Sequence, residues 1–181
     1  MIIVLRSLIR GSILGFILSL FLFSLVSACQ SLRPRFVDPK IQPYLTKFLS
    51  YCAMYGVDCK KWKNYSYYVE NIEPSFLDKI LGDKEKVVGK CNYVMKTVTI
   101  DKTYWENMRT YNFYEDLELV AFHEFGHCIL NKDHVTHDVN NIMYPSTNAW
   151  GYIVFYQKIM DEFFGCKNNC PQVQFTLWDY L

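Results

Sequence analysis

With 181 residues, a 51% hydrophobic content and a net charge of +1, the chain suits one globular domain preceded by a leader. Setting aside Arg6 and Arg10 with that leader leaves 17 basic residues against 18 acidic ones, with no basic stripe. Nucleic acid is thereby excluded as a partner. Fourteen Tyr and thirteen Phe supply a core even after the apolar leader is discounted.

Residues 1–28 read as a secretory signal. Arg6 and Arg10 form a positive n-region, and Ile13 to Val26 is an apolar run interrupted by few polar residues. Val26-Ser27-Ala28-Cys29 resembles a bacterial lipobox, which implies lipidation of Cys29 as the mature N-terminus. An ordinary signal peptide or an uncleaved anchor is the alternative. Gln30 rather than Asp after the cysteine implies the outer membrane. Residues 29–39, with Pro34 and Pro39, read as a tether, and 40–181 as the folded domain.

Six cysteines follow Cys29, an even number that in an exported chain implies disulfides. Short loops favour Cys52–Cys59 and Cys166–Cys170, which leaves Cys91–Cys128. No C-x-x-C pair points to a cysteine-rich zinc site.

Along the domain, Ile41, Leu45, Phe48, Leu49 and Cys52 recur at near-helical spacing and predict a helix over 40–55, stopped by Gly56. Tyr65 to Val69 is aromatic and β-branched, hence a strand. A short helical segment is expected at Ser75–Leu81 and a solvated loop at Asp83–Lys86. Alternation over Cys91–Ile100 predicts one further strand. Asn112 and Glu115 are spaced as a capping box opening a helix to Leu130. No Lys or Arg occurs between Arg109 and Lys132, so that helix is expected to be buried around most of its circumference. A last helix is expected over Tyr152–Phe164, ending at Gly165.

All four histidines lie between positions 123 and 137. His123-Glu124-Phe125-Gly126-His127 fits H-E-x-x-H, which on a helix stacks two imidazoles on one face. Zinc suits such donors, and a catalytic zinc takes three protein ligands and keeps one position for water. Glu124 is then the general base, taking the water's proton and passing it to the leaving amine.

Together with Ile142-Met143-Tyr144-Pro145, this stretch resembles the metzincin clan of zinc metallopeptidases, the matrix metalloproteinases and their bacterial relatives. Their signature is H-E-x-x-H-x-x-G-x-x-H followed by a methionine-bearing turn, here Met143. The resemblance covers roughly residues 113–164. It implies an α+β domain, a small twisted sheet with an active-site helix and a C-terminal helix, acting on peptide or protein substrates with Zn2+. In strict register the signature glycine falls on Leu130 and the third ligand on Asp133, and some metzincins do use Asp there. Shifting by one residue places Asn131 at a left-handed helix exit, which Asn tolerates far better than Leu, and His134 on the metal. His134 is preferred; Asp133 remains the alternative ligand, or a partner of a ligand.

Other assignments compete. His137 reads as an exposed loop histidine. A gluzincin arrangement would recruit Glu162 as third ligand, against which the histidine cluster and Met143 both speak. Tyr144 and Tyr152 are candidate oxyanion donors, with packing the simpler role for each. The loop from Pro145 to Gly151 is expected to shape a specificity pocket. A non-catalytic zinc-binding or structural envelope lipoprotein is the alternative function, and Glu124 discriminates, since a structural zinc has no use for a buried carboxylate beside it.

Overall fold

The computed structural model of the chain describes residues 35–73, 87–146 and 149–175. The leader, Cys29, most of the tether, the segment 75–81 and the run 83–86 lie outside the described residues. The chain divides after Pro34, and the unit beginning at Arg35 carries everything below.

That unit is α+β, with five α-helices and one three-stranded sheet among the described residues. Helix α1 (Gln42–Met54) turns Tyr44, Leu45, Phe48 and Tyr51 inward. The Cys52–Cys59 disulfide ties its last turn to a 3-10 helix, Lys60–Asn64. Strand β1 (Ser66–Glu70) follows, burying Tyr67 and Val69 by alternation.

The segment expected to be one strand at Cys91–Ile100 is a hairpin: β2 (Gly89–Asn92), a turn, and β3 (Thr97–Asp101). Asn92 supplies the reason. Its side-chain oxygen accepts from the amides of Val94 and Met95, and Lys96 takes a left-handed conformation (φ 53°). The sheet order is β1-β3-β2, with β1 parallel and β2 antiparallel to β3, so β2 is an edge strand among the described residues.

Helix α2 (Lys102–Thr110), capped by the Asp101 carboxylate on the Tyr104 amide, was not evident in the sequence pattern. The capping-box assignment of Asn112 is corrected. Asn112 is left-handed (φ 60°) and closes α2, with its own amide on the Arg109 carbonyl and the Phe113 amide on Met108. Helix α3 then begins at Tyr114 without a side-chain cap and runs to Cys128. It is buried along most of its length, and Phe122 and Phe125 meet Phe48 edge-on at 5.3 and 5.2 Å. The final helix is broken at Phe155 into α4 (Ala149–Val154) and α5 (Tyr156–Phe164), the latter followed by Gly165. Cysteines 91 and 128 join β2 to the end of α3, and Cys166 pairs with Cys170, matching the pairings expected from spacing.

Candidate metal centre and cleft

One turn of α3 stacks His123 on His127, and the chain beyond the helix returns His134 to them. The three Nε2 atoms lie 3.1, 3.1 and 3.2 Å from one another. Nδ1 of His123 donates to the Ile142 carbonyl and Nδ1 of His127 to the Lys132 carbonyl, both at 2.6 Å. These bonds fix the tautomer, so the Nε2 atoms of His123 and His127 present lone pairs. Burial, with the neighbouring imidazoles adding to it, lowers His123 to about 4, and burial likewise lowers His127. The lone pairs of His123 and His127, 3.1 Å apart, repel unless a cation or a proton donated by His134 lies among them. Tetrahedral zinc with Zn–N of about 2.0–2.1 Å spaces its nitrogens about 3.3 Å apart. The donor set therefore fits zinc in chemistry and in spacing.

The extra residue between His127 and His134 is taken up at the helix end. Asn131 is left-handed (φ 57°), and its amide bonds the His127 carbonyl. The Lys132 amide reaches back six residues to Gly126, and the Leu130 amide five to Phe125. A usual left-handed helix end closes with a five-residue reach. The helix thus ends at Cys128 and the exit turn, rather than the helix, is one residue wider. Asp133 is exposed and is not among the groups whose ligand atoms cluster.

Met143 lies beneath α3. Its amide bonds the Asn141 side chain, and its carbonyl accepts from Val135 of the His134 loop. Gly126 makes room for it: a Cβ there would sit 2.5 Å from Met143 Sδ and 3.0 Å from the Phe163 ring. No other residue type fits this contact without displacement.

Glu124 is 6% exposed, and burial pushes its carboxyl up to about 8, opposed by a hydrogen bond from the Cys91 backbone. Its carboxylate lies against Gly89, where a Cβ would come within 2.6 Å of Oε1. Because the Asp101 amide bonds the Val88 carbonyl, Val88, Lys90 and Asn92 point their backbone groups at β3, and Gly89 and Cys91 point theirs to the other side, where no strand lies among the described residues. Gly89, and the Cys91 backbone as a partner of Glu124, were missed in the sequence, since only the hairpin sets them against that carboxylate.

Comparison with protein-family models, with curated proteins and with solved structures returns no match. What the site can do must be read from its own geometry. A cavity of ≈ 500 Å³ opens beside His123 and Glu124, walled by Val120, Ile142, Tyr144 and Pro145. This volume is typical of ligand sites. The expected specificity loop contributes Pro145 and Ser146; residues 147–148 lie outside the described residues.

The remaining candidates fall elsewhere. Tyr152 is 1% exposed and gives its hydroxyl to Glu118 at 2.7 Å, so it is not an oxyanion donor. Glu162 is paired on the α5 surface with Lys158, and His137 is exposed. Asp161 approaches Cys166 and Cys170, but those sulfurs are bonded to each other and cannot ligate as thiolates.

Proposed function

We propose that the chain is a zinc-dependent endopeptidase of metzincin-like fold, exported and held in the bacterial cell envelope by a lipid on Cys29, at the outer membrane. The observation that carries the activity is the convergence of His123, His127 and His134 with Glu124 buried beside them at the mouth of the cavity. Zinc held by the three imidazoles would acidify a water and polarise a carbonyl. With the cation bound, the Glu124 carboxylate would be held ionised against the effect of its burial, so that it takes the proton of the attacking water and delivers it to the leaving nitrogen. On the side of β2 away from β3, where no strand lies among the described residues, the Gly89 and Cys91 carbonyls are offered to an extended peptide, which would add to the sheet as a further strand. The apolar walls of the cavity receive one of its side chains.

A structural zinc site of the same fold is the second reading, and the position of Glu124 speaks against it. A closed structural site has four protein ligands, whereas among the described residues three imidazoles converge here. The test is direct. Purified protein should carry close to one zinc per chain and cleave a peptide library, and Glu124→Gln should keep the zinc while losing about 10²–10⁴-fold in rate. Protein that takes up no zinc on reconstitution would sink the proposal. Zinc bound without cleavage of any peptide in the library would favour the structural reading.

A further inference from the structure

Ser66, Thr97 and Asn92 share one register position across the three strands, so the β2–β3 turn, the start of β1 and the start of β3 lie at one end of the sheet. The chain also enters the domain there. The Phe36 amide bonds the Ser66 hydroxyl, the Phe36 carbonyl accepts from Tyr67, and Val37 bridges Tyr67 in parallel. Two kinds of surface meet at this end. The turn exposes Tyr93, Val94 and Met95, with Val94 75% exposed. Exposed cations share this end in the chain's path: Lys96 ends the turn, and Lys60, Lys61 and Lys63 lie in the 3-10 helix that leads into the start of β1. Arg35 lies with its guanidinium 3.6 Å from the Trp62 ring, an amphipathic pair. On the acidic side, Asp58 pairs with Lys60 at 3.6 Å and Asp133 lies toward Tyr93.

We infer that this end of the sheet docks on an anionic phospholipid surface. The inference rests on the proposed lipidation of Cys29. Six peptide steps separate Cys29 from Arg35, and a chain spans at most about 3.3–3.6 Å per residue. An acyl group on Cys29 therefore keeps Arg35 within roughly 20 Å of the bilayer. The end of the domain that this tether holds near the membrane is the end that carries exposed apolar side chains and the exposed lysines of the turn and of the 3-10 helix before β1. Lysines near an anionic leaflet are attracted within a Debye length of about 10 Å, and apolar turn residues enter the headgroup boundary. Tyr93 also bonds the His127 carbonyl through its hydroxyl, so the docked turn adjoins the exit of α3. The metal centre would then work close to the membrane surface.

The test uses the mature, membrane-extracted protein in vesicles of phosphatidylethanolamine and phosphatidylglycerol containing a nitroxide-labelled lipid. Fluorophores are placed at Val94→Cys and, at the opposite end of β1, at Glu70→Cys. Mass spectrometry of the N-terminus reads the anchor separately. With acylation confirmed, quenching several-fold stronger at position 94 than at 70 is the expected result. Lys60→Glu, Lys61→Glu and Lys63→Glu together, or vesicles of phosphatidylcholine alone, should reduce it toward the level at 70. Equal quenching at both positions on an acylated chain overturns the docking face and leaves the anchor standing. An N-terminus without an acyl group removes the anchor, and the inference with it.

Discussion

The carboxylate of Glu124 rests directly on the backbone of Gly89: a methyl group at position 89 would lie 2.6 Å from Oε1, 2.7 Å from Cγ and 2.9 Å from Cδ. The Cys91 amide bonds the same carboxylate, and the Cys91–Cys128 disulfide ties that strand to α3. The group proposed as general base is therefore positioned by β2 as much as by its own helix. Gly89→Ala should push the carboxylate out of place. A displacement of about 1 Å can cost on the order of 10²-fold in rate. Zinc content should stay at the wild-type level, because the atoms nearest a methyl group at position 89 all belong to Glu124 and none to a histidine. Steady-state kinetics alongside metal analysis checks this, and an unchanged rate in Gly89→Ala would show that the strand does not position the base.

Gly126 sets a second tight contact, between α3, Met143 and Phe163. Gly126→Ala should destabilise the domain by about 1–3 kcal/mol, as overpacking does. Met143→Ala removes the Sδ that the new methyl meets at 2.5 Å. The double variant should recover part of the loss relative to the sum of the single effects, read by denaturant unfolding. Strict additivity would mean that the two residues do not meet.

Much of this site was legible in the sequence. The H-E-x-x-H spacing needs only helical periodicity, and the Lys- and Arg-free interval around it correctly marked α3 as buried. Asn131 was readable because a left-handed position restricts residue type. Two of the disulfides followed from short loops, and the third, Cys91–Cys128, was the pair that remained. What stayed hidden depends on contacts between distant segments. The turn at residues 93–96 interrupts an alternating pattern through an Asn92 side chain, and alternation alone carries no sign of it. Gly89 meets Glu124 only after that hairpin has folded. Asn112 closes a helix that the sequence did not announce, because α2 buries Trp105 alone and so carries little apolar pattern.

Glu118 shows the same limit. On the sequence it is one charge in an apolar helix. In the structure it is fully buried, bonded to Lys47 at 2.9 Å and to the hydroxyls of Tyr152 and Tyr156 at 2.7 and 2.6 Å. Glu118→Ala should cost about 3–5 kcal/mol, the usual penalty for removing one partner of a buried ion pair. Lys47→Met combined with Glu118→Leu should cost much less, since both charges leave together. Chemical denaturation of the three proteins decides it. A double variant as damaged as Glu118→Ala alone would shift the weight to the tyrosine hydroxyls.

Stripping the metal should expose a pH dependence with two opposing arms. Glu124, ordinarily near 4.5 and raised to about 8 by burial, holds a proton in the folded state that the unfolded chain releases. Its contribution is complete at low pH and is lost as pH rises toward 8. His123, lowered from 6.5 to about 4 by burial, contributes stability above 6.5 that is lost as pH falls toward 4. Between pH 6.5 and 8 the carboxyl arm acts alone of the two. Metal-free protein should lose stability there, by at most about 1.4 kcal/mol per pH unit. Metal-free Glu124→Gln should lose none of it through this group. Urea midpoints in chelator at the two pH values give the comparison, and parallel declines in both proteins would rule out Glu124 as the source.

The wide exit turn of α3 makes the sharpest demand on a single residue. Asn131 is left-handed, and its amide and that of Lys132 close the helix onto His127 and Gly126. The Lys132 carbonyl then orients His127, and the chain continues directly to His134. Asn131→Gly should be close to neutral, because glycine takes this conformation without steric penalty. Asn131→Val places a β-branched side chain at positive φ and should cost about 1–3 kcal/mol. The strain falls on the loop that carries His134, so zinc affinity should weaken together with stability. Leu130→Gly should lower stability through lost helix-end packing and chain entropy, without strengthening the metal site. Zinc titration and thermal unfolding of the three variants separate these effects. A harmless Asn131→Val with a tolerated Leu130→Gly would return the third ligand to Asp133, and His134→Ala would then keep its zinc.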